Sequence, residues 1–408
     1  MIVTIIEGYN LIVYGSVVPL LLADPALGIT DEQTGLIGGV VYIGAVLGAL
    51  LAPMLAERIG RKATLAAAIA VFALGAVLAG AAAGGQMLAV ARLLNGLGVG
   101  AALTTAMTIA RNNAPAGRAS LIVTITMAGI PLGGVVAALL AIPILPTLGW
   151  RAMFFVGAGL GAAVLVAVLV CRIPNSSEEV TGRSWTVRQK LAAVFAGRGA
   201  LITVVIAGCA VANMIAWQGL NVWAAQAMID LGFSLSGALL FTFALTGAAV
   251  LGSFATAWAA DRRGSALVSV ATGSCTVLGL VGIVVLPLSV PTAVVCAAFM
   301  GIGGHSTMNL VHTTTSSVYP LPARGVALGW SNGTSFIGAF LGPTLGGMAI
   351  ATGGARAVFS TFAGAAGLCL IGLTVLFMLD RSATPQIFRQ PGRPTQSARA
   401  VPAAEVIG

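Results

Sequence analysis

Long apolar runs broken by short polar stretches fill most of this chain. Twelve runs approach the roughly 20 residues that a helix needs to cross a bilayer. They lie at about 2–23, 35–56, 63–83, 87–110, 119–142, 153–171, 200–224, 236–258, 266–287, 292–317, 326–350 and 357–379. The pattern predicts an all-α membrane protein with twelve transmembrane helices. Within the first run, Glu7, Asn10 and Tyr14 are spaced i, i+3 and i+7, which places them on one helical face. A charge inside hydrocarbon is costly and usually faces an internal cavity, so this face is a functional candidate. In the plainer alternative, Glu7 reaches water at the membrane edge, and Asn10 and Tyr14 only join helices.

Composition agrees with the pattern: 58% of the 408 residues are hydrophobic and 8% are charged, where a soluble domain carries about a quarter charged. No room remains for a sizeable soluble domain. The net charge of +9 reports topology rather than a nucleic-acid partner, because seventeen of the twenty basic residues fall in the loops of one side. The positive-inside rule makes that side cytoplasmic and puts both termini there. This implies a multi-pass protein of the bacterial inner (plasma) membrane. The first run has no basic leader or convincing cleavage site and is expected to be a retained helix. Cys171, Cys209, Cys275, Cys296 and Cys369 show no metal-like spacing and read as packing residues. No metal or cofactor is expected, and neither an acidic metal-binding cluster nor a zinc-like spacing supports a membrane-embedded enzyme.

The chain also repeats itself. Glu57-Arg58 and Asp261-Arg262, Gly149-Trp150-Arg151 and Gly354-Ala355-Arg356, and Arg118 and Arg324 recur at offsets of 204, 205 and 206 residues. An even number of helices separates the copies, so they point the same way and form two six-helix halves about an axis along the membrane normal. The expected division is 1–172, a cytoplasmic linker 173–199, 200–380, and a disordered cytoplasmic tail 381–408. In the linker, Val187, Leu191, Val194 and Phe195 make an apolar stripe opposite Arg188 and Lys190, as in a short helix on the inner membrane surface.

Pro53-Met54-Leu55-Ala56-Glu57-Arg58-Ile59-Gly60-Arg61-Lys62 resembles the signature between helices 2 and 3 of the major facilitator superfamily, and Arg92-Leu93-Leu94-Asn95-Gly96-Leu97-Gly98 its helix 4 signature. A narrower resemblance is to the aromatic acid:proton symporter family. It is carried by Glu7-Gly8-Tyr9-Asn10-Leu11-Ile12-Val13-Tyr14-Gly15, Gly149-Trp150-Arg151, Trp223-Ala224-Ala225-Gln226-Ala227-Met228, Tyr319-Pro320 and Gly329-Trp330. The chain departs from that pattern where Asn10 and Asn112 replace acids and where Phe336 replaces an arginine. The resemblance implies a secondary active transporter, a monomer in the lipid bilayer, that takes up a small organic anion with protons by alternating access. A proton-driven drug or metabolite exporter of the same superfamily, and a non-transporting membrane sensor, are the alternatives.

The residues suggest roles within that scheme. Glu57, Arg58, Gly60, Arg61, Arg118, Asp261, Arg262 and Arg324 sit at the basic loops, where acid–base contacts can latch one conformation. Arg92 lies inside the fourth run and can hold a substrate carboxylate or lock its helix to a neighbour. Asn213, Trp217 and Asn221 share a face, with Gln218 beside it, and suit a planar organic ligand. His305, Asn309 and His312 share another face, able to bind an anion or relay protons, or to bond adjacent helices as neutral side chains. Trp330 and Asn332 are further substrate candidates, with Asn10 and Tyr14. Glu7, assisted by His305 or His312, is the expected proton carrier.

Overall fold

The computed structural model describes residues 1–113, 125–171 and 185–383. The helices are α1 (Ile2–Leu22), α2 (Asp31–Ile59), α3 (Arg61–Gly80), α4 (Gly85–Asn112), α5 (Gly129–Val170), α6 (Val187–Phe195), α7 (Gly197–Asp230), α8 (Leu235–Arg263), α9 (Ser265–Val285), α10 (Val290–Val318) and α11 (Arg324–Ala383). Local chemistry fixes several boundaries. Thr30 and Gln33 form a reciprocal capping box at the start of α2, and Ser289 with Thr292 does the same for α10, satisfying backbone N–H groups that a helix start leaves free.

Ten of the described helices are long and apolar enough to span a membrane. The sequence places a break between its fifth and sixth runs and another between its eleventh and twelfth. The structure instead carries helix across both places, and only one residue leaves helical geometry in each. Gly149 has φ 73° in α5, and Gly354 has φ 66° in α11. Glycine alone takes that conformation cheaply, so one residue reverses the path where a loop is expected. Counted as two arms each, α5 and α11 bring the crossings to twelve. The loop holding Arg118, most of the linker and the tail beyond 383 lie outside the described residues.

Contacts across the middle run α1 to α7, α2 to α11, and α5 to α8. At the end opposite the basic loops they are tight: a methyl group added to Gly15 would overlap the Asn221 carbonyl, and one on Gly35 would lie 2.5 Å from the Pro343 carbonyl oxygen. Small residues at such crossings let backbones approach where packing drives association. Toward the basic end the same seam parts. Leu50, Pro53, Met54 and Glu57 of α2 are exposed, and nothing stands within 4 Å of where a side chain would begin on Gly325, Gly329 or Gly333 of α11. The bundle is therefore shut at one end and open at the basic end.

Helix α6 is anchored to the protein along one side. Val194 is fully buried in a cluster with Ile202, Tyr319 and Ala323, and its carbonyl accepts from the Thr203 hydroxyl at 2.6 Å. Leu191 and Phe195 stay exposed. The stripe thus divides, one side chain turning to protein and two staying out. The Val187 side chain lies outside the described set.

Candidate functional site

The face of α1 that carries Glu7, Asn10 and Tyr14 does turn inward, but its polar groups are mostly committed. Asn10 donates to the Ile6 carbonyl at 2.9 Å, and its own carbonyl accepts from Arg92 Nη1 at 2.9 Å. The Arg92 guanidinium lies 4.8 Å from the Tyr14 ring centroid, and the Tyr14 hydroxyl donates to the Thr34 carbonyl at 2.9 Å. Asn95 donates to the Phe72 carbonyl at 3.1 Å, with Asn10 Oδ1 at 3.5 Å. This lattice ties α1, α2, α3 and α4 together, and its members Asn10, Arg92 and Asn95 are each at most 2% exposed. In this conformation Asn10, Tyr14 and Arg92 fasten helices to one another, the second of the two roles that the sequence leaves open for them. A buried guanidinium needs acceptors; the Asn10 backbone carbonyl and the Tyr14 ring meet part of that need, while Nε has no partner among the described residues.

Glu7 differs from its neighbours. It is 0% exposed, and neither carboxylate oxygen has a hydrogen-bond partner among the described residues. The alternative of an edge residue reaching water fails on that burial.

The second half assembles its candidates more openly. Asn213 donates to the Gly304 carbonyl at 3.0 Å, and Gly304 also lies against the Trp217 ring. The Trp217 and His305 rings are 5.8 Å apart. Asn221 donates to the Trp217 carbonyl at 2.8 Å and to Gln218 Oε1 at 3.3 Å. Gln218, His305 and Asn309 are only partly buried. Helices α7 and α10 therefore bring Asn213, Trp217, Gln218, Asn221 and His305 together. His312 does not join them: its Nδ1 lies 3.4 Å from Ser331 Oγ on α11. The seven-residue offset that shares a face also spreads the two imidazoles along the helix. Trp330 is 45% exposed and packs edge-on against Phe195 of α6, centroids 5.2 Å apart. Asn332 is exposed on the open part of α11.

Sequence reading passed over an apolar cluster on the seam. Val41 and Tyr42 of α2 and Ala339 of α11 form its centre, with Leu11, Met214, Phe336 and Phe340 packed around it. The signal was present in Phe336 and Phe340, four residues apart on one helical face.

At the basic end Glu57 and Asp261 are exposed and form no ion pair with a described residue. Arg58 is exposed as well, and Gly60 makes the turn into α3 with φ 83°. With its oxygen toward Arg61, the Asn112 amide accepts from both terminal guanidinium nitrogens, at 3.1 and 2.6 Å. The Arg262 guanidinium lies 3.9 Å from the Trp258 ring centroid, and Arg324 donates to the Tyr319 carbonyl at 2.9 Å. The acid–base pairs expected of a latch are thus not made by Glu57 or Asp261 with a described residue.

The opposite end has a clamp. Asp24 accepts from Trp150 Nε1 and Arg151 Nη1, each at 3.0 Å, and from the Ala26 backbone at 3.0 Å. Arg151 also donates to the Ala82 carbonyl at 3.3 Å and stacks 4.2 Å from the Trp150 ring centroid. These bonds, led by that from Trp150, hold the Asp24 carboxyl below the ordinary aspartate range. Among the described residues, no group of three or more His, Cys, Asp or Glu side chains is placed to hold a metal ion.

The comparisons with known proteins agree with this architecture. The family model described as Major Facilitator Superfamily matches residues 1–295 and 277–404. A gentisate transporter of Corynebacterium glutamicum is 30% identical over 387 residues, covering 93% of this chain and 86% of that protein. A benzoate transport protein of Acinetobacter baylyi is 26% identical over 386 residues, covering 85% and 81%. Among solved structures, a bacterial homologue of the human lysosomal transporter Spinster, inward-facing and unoccupied, superposes with a TM-score of 0.74 at 16% identity, covering 93% of this chain and 95% of that one. A D-xylose-proton symporter gives 0.72 at 16% identity, covering 92% and 95%. At such identities the superpositions speak for the fold alone. With the family model spanning nearly its whole length and twelve helical crossings arranged in two halves, the chain belongs to the Major Facilitator Superfamily, a family of membrane transporters.

Proposed function

We propose that this protein imports small aromatic carboxylates together with protons across the bacterial inner membrane, by alternating access between residues 1–172 and 200–380. The basic end is then cytoplasmic, with both termini on that side, and the protein works as a monomer. The substrate class is supported by relatives named for gentisate, benzoate and 4-hydroxybenzoate transport. The observation that carries proton coupling is Glu7, buried with both oxygens unpartnered. A carboxylate in such a place is far cheaper neutral than ionised, so it carries a proton in this conformation. It releases that proton when the cavity admits water or a cation. Alternating access requires the tight end of the seam to part while the basic end closes, and on this reading Glu57, Arg58, Asp261 and Arg262, all exposed at that end, pair there on closure.

Purified protein in liposomes tests the reading. Labelled benzoate or gentisate should accumulate when the outside is made acidic, and should only equilibrate without a pH gradient. Aromatic acids that never enter, with drug-like cations expelled instead, would replace this reading with the exporter.

A further inference from the structure

The seam cluster lies where the closed and open parts of the bundle meet. Gly39 sits one helical turn from Tyr42 on α2, and a methyl group added to it would lie 2.7 Å from the Phe340 carbonyl, so the two helices touch there. One turn toward the basic end on α11, Phe336 is only partly buried, and Gly333 beyond it faces open space. Tyr42, by contrast, is 5% exposed. Met214 and Leu11, also partly buried, approach from α7 and α1. Both halves thus contribute to an apolar ceiling that ends where the cavity begins. On α7 Met214 stands four residues from Gln218, so ceiling and polar group share one helical face.

We infer that Phe336, with Met214, is the slot that grips the ring of the substrate and sets a preference for planar aromatic rings over saturated ones. This rests on the aromatic carboxylate reading above. Aromatic faces prefer offset or edge-on contact with another ring, and a thioether adapts to a ring edge. A saturated ring of equal carbon count has neither the flat face nor the edge polarity to use them. Gln218 and His305, partly exposed on the same half, are left to meet the carboxylate. Arg92 stays bonded to α1.

Benzoate and cyclohexanecarboxylate separate the two rings at constant charge. Their binding is read from ligand-induced thermal stabilisation of purified protein, alongside competition for uptake. The wild type should prefer benzoate by about tenfold, and Phe336→Ala should bring that ratio close to one, while Phe336→Tyr keeps it. If Phe336→Ala does not fold, Phe336→Leu and Met214→Ala are read for the same ratio. A wild type that binds no aromatic carboxylate would sink the proposed function itself. A wild type indifferent to the two rings, or variants that keep its preference, would overturn the slot and leave the transporter reading standing.

Discussion

The two halves bury different chemistry. In the first, Glu7, Asn10, Arg92 and Asn95 are sealed among α1, α3 and α4, all at most 2% exposed. In the second, no Asp, Glu, Lys or Arg lies away from the helix ends or the Gly354 turn. Its polar interior is built from amides, hydroxyls and imidazoles, with Gln218, His305 and Asn309 partly open. Charge hidden from water belongs to switching, because its cost changes when the cavity opens. Neutral groups left accessible belong to recognition, since they can exchange water for a ligand at little cost. The contrast supports the proposal that proton coupling lies in the first half and substrate grip in the second.

The largest effect should come from removing the ionisable group alone. One pH unit supplies about 1.4 kcal/mol per proton, worth about tenfold accumulation for one proton per substrate. In Glu7→Gln that accumulation should fall to simple equilibration, while exchange of labelled for unlabelled substrate continues. The amide keeps the shape and only removes the titration. Liposomes carrying the variant that still concentrate substrate under an inward proton gradient would break the division of labour at its first half.

Much of this was legible without coordinates. The apolar runs give the crossings, and the paired Glu57-Arg58 and Asp261-Arg262 give the two halves, because bilayer thickness and charge asymmetry act on the sequence directly. Glu7 stands out for the same reason. The partners of Arg92 were not legible, because helical periodicity says which residues share a face but not which helix lies opposite. Asn10 therefore reads as a ligand, although its carbonyl is taken by Arg92. The contact of Trp330 with Phe195 was hidden likewise, because it depends on where α6 docks. The single-residue turns at Gly149 and Gly354 escape because a turn that short leaves no polar stretch behind.

A second effect should separate the halves by what is lost. Arg92→Ala removes a charged hydrogen bond and a stacked cation, together on the order of 3 kcal/mol. It should lower the unfolding temperature of the purified protein markedly while leaving substrate affinity of the folded fraction nearly unchanged. Gln218→Ala should do the reverse, weakening affinity several-fold with little change in unfolding temperature. If Arg92→Ala instead unfolds like wild type and loses affinity, the first half grips substrate as well, and the contrast between the halves dissolves.

The smallest effect lies at the outer corners, where the repeat itself offers a control. Arg151 is paired with Asp24, whereas Arg356, its counterpart, is exposed and forms no ion pair with a described residue. The folded Asp24 carboxyl titrates below its unfolded value, so its stabilisation is complete above about pH 4, the ordinary aspartate range. It fades as pH falls through the lower folded value, where protonation removes the charge that Arg151 and the Trp150 N–H address. Asp24→Asn should therefore cost at most about 1 kcal/mol, evenly between pH 5 and 8. Its deficit against wild type should shrink as the medium becomes more acidic than pH 4. Arg356→Ala should match wild type throughout. Unfolding scans of the three proteins at several pH values decide it, and an equal loss in both variants would mean that the corners are not distinguished by the clamp.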